Sequence, residues 1–489
     1  MDDIFQLSSF YLELKPEQAN RYMRKNTPKT FLLLISLLVF SSSVVFSQDI
    51  TLSQFKRATY SDLLIDSAGI YHAVFLESPA IGKTRFVYYS RSTNGGRSWS
   101  KPVTVSNDES GNGAAQPKLI QDKASGEVYA IWKRFGLTDA RYPIQDVILE
   151  GPGGYNAGTL FFRSVGGSAP GEILKIGEKE ETVISWFVTH DPAGNITVVW
   201  SQVTDESALS NWKAWFYADW IRTAKIRGGA VGNITSVTRP NPAPYKGGAP
   251  PDVGFMNLHG YFSPSGALKF VAERMQNRGQ VVVYSDGKTI KKIYEYPKST
   301  TFNTFNNPPR LLVDENGTEH LILKPDSSTL EAEELWDIDP VTGKKRVLIA
   351  IDQEGFSLDG FQAYQGPDGK MTVTFQAGKP SGSSESFFCS YRDGVWRSFG
   401  MSKNSAMGSF TYREFPFNGV YRPTLATLTK YDTTFVSVAH DKSGARKMLM
   451  TLSEYFTAGS FSTSSPSVIY IGAPEEPKNN AGPPKGKRN

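Results

Sequence analysis

The chain has 489 residues, with 53 lysines and arginines against 48 aspartates and glutamates, a net charge of +5, and one cysteine, Cys389. That length holds one large domain or two ordinary ones. The near-balanced charge argues against a dedicated nucleic-acid binder, which concentrates basic residues on one face, and one cysteine excludes an intrachain disulfide.

In chain order, residues 1–22 read as an upstream extension, and 23–47 read as an export signal. "MRKNTPK" is a basic start, "TFLLLISLLVF" an apolar core, and "VVFSQ" offers a cut after Ser47. The apolar run from Phe31 to Phe46 is short for a membrane span and contains three consecutive serines, so cleavage is expected rather than anchoring. The mature protein is then secreted or periplasmic and keeps 48 basic and 44 acidic side chains, because the leader removes five and four from the totals of 53 and 48. The end, 473–489, is rich in Pro, Gly and Lys without apolar periodicity and is expected to be disordered.

Between them, over 48–472, seven segments share one grammar: a short strand, a tight turn, then a β-rich strand. The turns are placed near Gly69, Gly126, Gly194, Gly266, Gly317, Gly369 and Asp432. Second hairpins follow at Asp286-Gly287 and Asp393-Gly394. Gly-rich turns and scarce helical periodicity predict an all-β fold, a β-propeller of seven four-stranded blades. "DITLSQF" and "SPSVIYIG" are expected to share the last blade, which would remove exposed sheet edges.

The stretch "YYSRSTNGGRSWSKPVTVSND" sets Ser92, Asn94, Gly96 and Trp99 between two alternating strands. It resembles the Asp-box, the Ser-x-Asp-x-Gly-x-x-Trp hairpin of sialidases and bacterial neuraminidase repeat proteins, with Asn94 in the aspartate position. In that family the box is scaffold on the face opposite the active site, so the resemblance implies a sialidase-like propeller and assigns no catalytic residue.

In such a fold, the starts of first strands and the ends of second strands share one face. Candidates there are Lys118, Trp186, His259, Arg310, Tyr364 and Arg422 at starts, and Glu77, Lys133, Arg134, Gln202, Glu273, Arg274, Lys324, Gln376 and His440 at ends. The set is rich in Arg, Lys and His and poor in carboxylates, which suits an anionic ligand. Among "WKAWFYADW", Trp212 and Trp215 form either a stacking platform for sugar rings or a buried outer strand. His72 and His320 read as packing residues within second strands.

These residue types fit elimination from a uronic-acid polysaccharide or oligosaccharide. That reaction needs a cation on the carboxylate, a base and a proton donor. His259, Arg274, Arg310, Tyr364 and His440 are the catalytic candidates. Lys133, Arg134, Glu273, Arg422, Trp212 and Trp215 are the substrate-binding ones. The repeats also resemble those of seven-bladed ulvan lyases, which implies a lyase on an acidic, sulfated glycan. The alternatives are a sialidase-like hydrolase, to which "VYRPT" and the arginines bear a resemblance, and a non-catalytic glycan- or protein-binding propeller. No cofactor, metal, nucleic acid or membrane span is expected, and the protein is expected to be a monomer.

Overall fold

The computed structural model describes residues 50–471, apart from 56–57, 80–84, 107–112, 136–156, 179–181, 205–217, 239–253, 277–278, 298–306, 327–332, 352–356, 367–368, 379–383, 393, 405–408, 416–419, 422–430, 443–445 and 455–466. The expected leader and tail lie outside the described residues, as do Trp212, Trp215 and Arg422. Among the described residues every regular element is a strand, and no helix is long and apolar enough to cross a membrane.

Strand β1 (Ile50–Thr51) precedes a first group, β2 (Ala58–Ile65), β3 (Tyr71–Glu77), β4 (Phe86–Ser92) and β5 (Val103–Thr104). A second comprises β6 (Ala114–Gln121), β7 (Val128–Phe135), β8 (Gly158–Ser164) and β9 (Leu174–Ile176). The third is β10 (Val183–His190), β11 (Ile196–Gln202), β12 (Trp220–Arg227), β13 (Ala230–Val231) and β14 (Thr235–Ser236). The fourth is β15 (Met256–Phe262), β16 (Leu268–Gln276), β17 (Gly279–Ser285) and β18 (Ile290–Glu295). The fifth is β19 (Arg310–Val313), β20 (Glu319–Leu323), β21 (Glu333–Ile338) and β22 (Lys345–Ile351). The sixth is β23 (Ser357–Gln365), β24 (Met371–Gly378), β25 (Ser384–Arg392), β26 (Val395–Asn404) and β27 (Ser409–Phe415). After β28 (Val420–Tyr421), which pairs parallel with β22, the last group is β29 (Tyr431–His440), β30 (Arg446–Glu454) and β31 (Ser467–Ile471).

Each group is an antiparallel sheet, and among the described residues the backbone ladders of the second and third meet at Val183 opposite Gly158. β1 completes the last sheet, with Ile50 opposite Tyr470 and Thr51 opposite Ile469, so the two ends of the described chain share it as their apolar patterns suggest. The first strands pack in order: β2 on β6, β6 on β10, then β15, β19, β23 and β29, with β29 against β2. The core lies in slabs between successive sheets. Along β16, Phe270 and Ala272 face the third sheet while Val271 faces the fifth. A strand covered on both faces has no polar face, which is why β3 (YHAVFLE) is buried throughout.

The turns fix the register. Asp66 Oδ1 accepts the N–H groups of Ala68 and Ile70 at 2.9 and 2.8 Å, and Asp191 and Asp314 repeat this on the second and fourth residues after them. A glycine in the left-handed region follows, such as Gly69 at φ 83° and Gly317 at φ 81°, where a side chain would be strained. One expected turn is misplaced. Asp432 lies inside β29, and the chain reverses between His440 and Arg446. The sequence "HDKSGAR" carries the Asp and Gly of the other turns.

The Asp-box-like hairpin closes with Asn94 as anchor. Its Oδ1 accepts the Ser98 N–H at 2.9 Å, Ser92 Oγ accepts the Gly96 N–H at 2.9 Å, and Trp99 packs half-buried on the cluster containing Phe75 and Tyr88. Trp99→Ala is expected to lower unfolding free energy by about 2 kcal/mol, below the range for a fully buried aromatic; denaturant unfolding measures it.

Buried polar groups tie sheets together near the second-strand ends. Lys133 is wholly buried and donates from Nζ to the carbonyl of Ile184 in the next sheet at 2.9 Å. A Cβ on Gly158 would come within 2.8 Å of its Cγ. Burial pushes the ammonium down from 10.5 to about 7. Because the folded value lies below the unfolded one, folding sheds a proton between about pH 7 and 10.5, and the burial penalty shrinks as pH rises through that window. Lys133→Met should therefore stabilise the protein most at or below pH 7, with the gain fading toward pH 10.5 in unfolding curves taken across pH.

Candidate functional site

The repeated turn makes equivalent positions comparable between sheets. Four residues before Asp66, Asp122, Asp191, Ser263, Asp314, Gly366 and Asp441 stand Asp62, Lys118, Phe187, His259, Arg310, Gln362 and Ser437. All seven lie on first strands, which pack on one another in order, so the turn register brings these side chains to one level. Two cations and one histidine face a single carboxylate there, and Asp62 is already engaged. Its Oδ2 accepts the N–H of Leu119 at 2.8 Å and its Oδ1 lies 3.4 Å from Lys118 Nζ.

Burial and the cations Arg310 and Lys118 push the His259 imidazole well below its ordinary 6.5, so it is neutral near pH 7. Burial holds Arg310 down at about 10, still charged at neutral pH, against the favourable influence of Tyr364 and Glu273. Burial and the charge of Asp62 raise the Tyr364 phenol, while Ser437 and Arg310 lower it, and the net effect keeps it protonated. His259, Arg310, Tyr364, Lys118 and Asp62 thus form one electrostatically connected cluster. His259, Arg310, Tyr364 and Lys118 each keep a solvent-exposed part. The Lys118 side chain is 40% exposed and can reach a ligand.

His259 is oriented by the next sheet. Its Nδ1 accepts the backbone N–H of Leu311 at 3.2 Å, as Asp62 accepts that of Leu119 one residue beyond the equivalent position. A backbone N–H only donates, so in the neutral ring Nε2 carries the proton. With Nδ1 occupied in this way, His259 presents Nε2 as a hydrogen-bond donor.

Backbone strain marks the same strands. Tyr60, Gln116 and Asn257 have φ of 39°, 52° and 53° and lie at the bulges of β2, β6 and β15, six residues before Asp66, Asp122 and Ser263. Left-handed non-glycine residues cost of order 1–3 kcal/mol each and persist where their surroundings hold them. Here Gln116 accepts from Trp186 Nε1 at 3.2 Å, and Asn257 Nδ2 donates to Glu273.

Other expected residues fall elsewhere. His440 sits at the turn end of β29, opposite the strand starts, with Nε2 3.3 Å from the Thr372 hydroxyl, because the last turn comes after it. Tyr364 lies two residues before its turn rather than at a strand start, since β23 begins at Ser357, yet it belongs to the cluster. Lys133 and Glu273 are fully buried, which removes both from direct substrate contact; Glu273 accepts from Asn257 and from Tyr296 at 3.3 Å. Arg134 and Arg274 lie at the outer ends of their strands, stacked 4.5 Å from the Phe161 ring centre and 4.6 Å from that of Phe255. His72 and His320 are buried against Asp66 and Asp337. Sequence reasoning missed Asp62, Gln362 and Ser437, although counting four residues back from every turn would have found them. Among the described residues no three His, Cys, Asp or Glu side chains are grouped to hold a metal.

No family model matches the chain, and no curated protein does. Among solved structures, a Hadza microbial sialidase is similar at 11% identity over 85% of this chain and 65% of that one, with a TM-score of 0.37. An α-L-arabinanase of Penicillium chrysogenum shares 12% identity over 87% and 98% of the two chains, with a TM-score of 0.39. The Streptococcus pneumoniae sialidase NanB shares 13% over 88% and 70%, with a TM-score of 0.37. The chain thus spans less than two thirds of the first of these proteins.

If the Leu311 contact sets the His259 tautomer, nitrogen NMR should show a protonated Nε2 and a bare Nδ1, unchanged as the pH is taken well below the ordinary pKa of about 6.5. A midpoint near 6.5 would contradict the assignment.

Proposed function

We propose that the protein is a seven-bladed β-propeller, exported after cleavage near Ser47, that takes the carboxylate of an acidic saccharide at the centre of its ring. The cyclic packing of the first strands and the sharing of the last sheet by both chain ends support the architecture. One observation carries the ligand class: Arg310 and Lys118 flank a neutral His259, while the nearby carboxylates are committed, Asp62 to Leu119 and Lys118, Glu273 to Asn257 and Tyr296. A guanidinium and an ammonium with a neutral N–H donor suit a carboxylate. Hydrolysis by a pair of carboxylates, as in most glycosidases, has less support, because it needs two of them facing the bond.

On a uronate, the same contacts prepare elimination. The cations neutralise the carboxylate and so acidify the adjacent ring proton. As the C–O bond breaks, Tyr364, kept protonated, gives its proton to the leaving oxygen and takes up the ring proton on the same phenol oxygen, and the C–H electron pair becomes the new C=C bond. Since His259 carries its proton on Nε2, it supports the carboxylate rather than abstracting the ring proton. A sialidase-like reading gains from one observation, the closeness of Tyr364 to Arg310 and Asp62, because a tyrosine, an acid and an arginine are the residue types of such a site.

Calorimetric titration with galacturonate, sialyllactose and a neutral arabino-oligosaccharide tests the reading. Acidic sugars should bind and the neutral one should not. Arg310→Ala should weaken binding by about 10- to 100-fold, the scale of a charged hydrogen bond. Equal binding of the neutral sugar would overturn the reading. Near-ultraviolet absorbance of unsaturated uronate, or release of sialic acid, separates elimination from hydrolysis.

A further inference from the structure

The central level has a counterpart farther out along the second strands. Lys118 lies opposite Ile131 and His259 opposite Val271; three residues beyond these partners stand Arg134 and Arg274. The same count beyond the partners of Phe187, Asp62, Arg310, Gln362 and Ser437 reaches Gln202, Glu77, Pro325, Ala377 and Leu452. Glu77 is fully buried and accepts the backbone N–H groups of Gln54 and Phe55. The accessible charges of this outer level are therefore the two arginines, on the second and fourth sheets, with the neutral Gln202 between them.

Both arginines are held in the same way. Each guanidinium lies over a phenylalanine of its own sheet segment, and each stays partly exposed. Stacking fixes the plane of a guanidinium while leaving its edge able to donate. Arg222, on the third sheet, is different: it lies over Trp220 but is paired with Glu178 at 3.2 Å and is buried. Arg134 has no carboxylate partner among the described residues.

Three strand residues span about 10 Å, which is longer than one pyranose ring. A monosaccharide whose single carboxylate sits between Lys118, His259 and Arg310 has no second anionic group to offer Arg134 or Arg274. We propose that these arginines form outer anion-binding subsites, so that the ligand is a chain bearing repeated anionic groups, running from the centre across the second to fourth sheets. The proposal rests on the acidic-saccharide reading above.

Calorimetric titration of the full chain with galacturonic acid and its linear oligomers tests it. Affinity of the wild type should rise at least about tenfold from monomer to tetramer, about the effect of one charged contact. Arg134→Gln and Arg274→Gln should each remove most of that rise, while Arg134→Lys, which keeps the charge and loses the stacked plane, should keep part of it. Thermal unfolding of each variant checks that it is folded, and Arg134→Gln with Arg134→Lys suffices should Arg274→Gln fail. A rise with length that survives in both Gln variants, or a wild type that binds monomer and tetramer equally, overturns the outer subsites and leaves the central reading standing. A wild type that binds no uronate of any length overturns both.

Discussion

The turn that ends each first strand governs the rest of this structure. At Asp66, Asp191 and Asp314 a carboxylate accepts the N–H groups two and four residues on, and a left-handed glycine such as Gly69 or Gly317 completes the reversal. The strand period of two then decides which side chains share a level. A slip of one residue would exchange His259 for Leu258 or Gly260 and dissolve the central cluster while leaving the hydrogen-bond ladder intact.

Stacking sheets face to face leaves strands with two apolar faces, so polar side chains enter the interior only where backbone or another side chain receives them. Lys133 does so on a carbonyl of the next sheet, Glu77 on the backbone between β1 and β2, and Glu273 on Asn257 of its own sheet. Asp62 and His259 do so between first strands, and these two also face the cluster. A residue that ties adjacent sheets thereby orients itself for a ligand, which couples the rigidity of the scaffold to the placement of His259 Nε2. Such placement costs less reorganisation on binding than a mobile side chain would.

Much of this architecture was legible in the sequence, because six of the seven turns announce themselves through glycine and an acid or serine between β-rich runs. The seventh was misread at Asp432, and that one error moved His440 to the wrong end of its strand. Chemistry was legible less evenly. Arg310 and His259 came together because each stands four residues before its turn, and Tyr364 joins them from two residues before its own. Lys133 and Arg134 are adjacent in sequence yet have opposite fates, one buried against Ile184 and the other stacked on Phe161. Nothing in a single strand tells which of two neighbours faces the next sheet. The tautomer of His259 was not legible at all, because Leu311, which sets it, belongs to the following repeat.

The central claim is that Arg310, Lys118 and His259 hold one saccharide carboxylate. A crystal structure of the protein with a galacturonate oligomer tests it most directly. The account predicts a carboxylate in contact with the Arg310 guanidinium and the Lys118 ammonium, with His259 Nε2 donating to it and its Nδ1 still on the Leu311 N–H. An oligomer bound elsewhere, with Arg310 turned away from every acidic group, would contradict it.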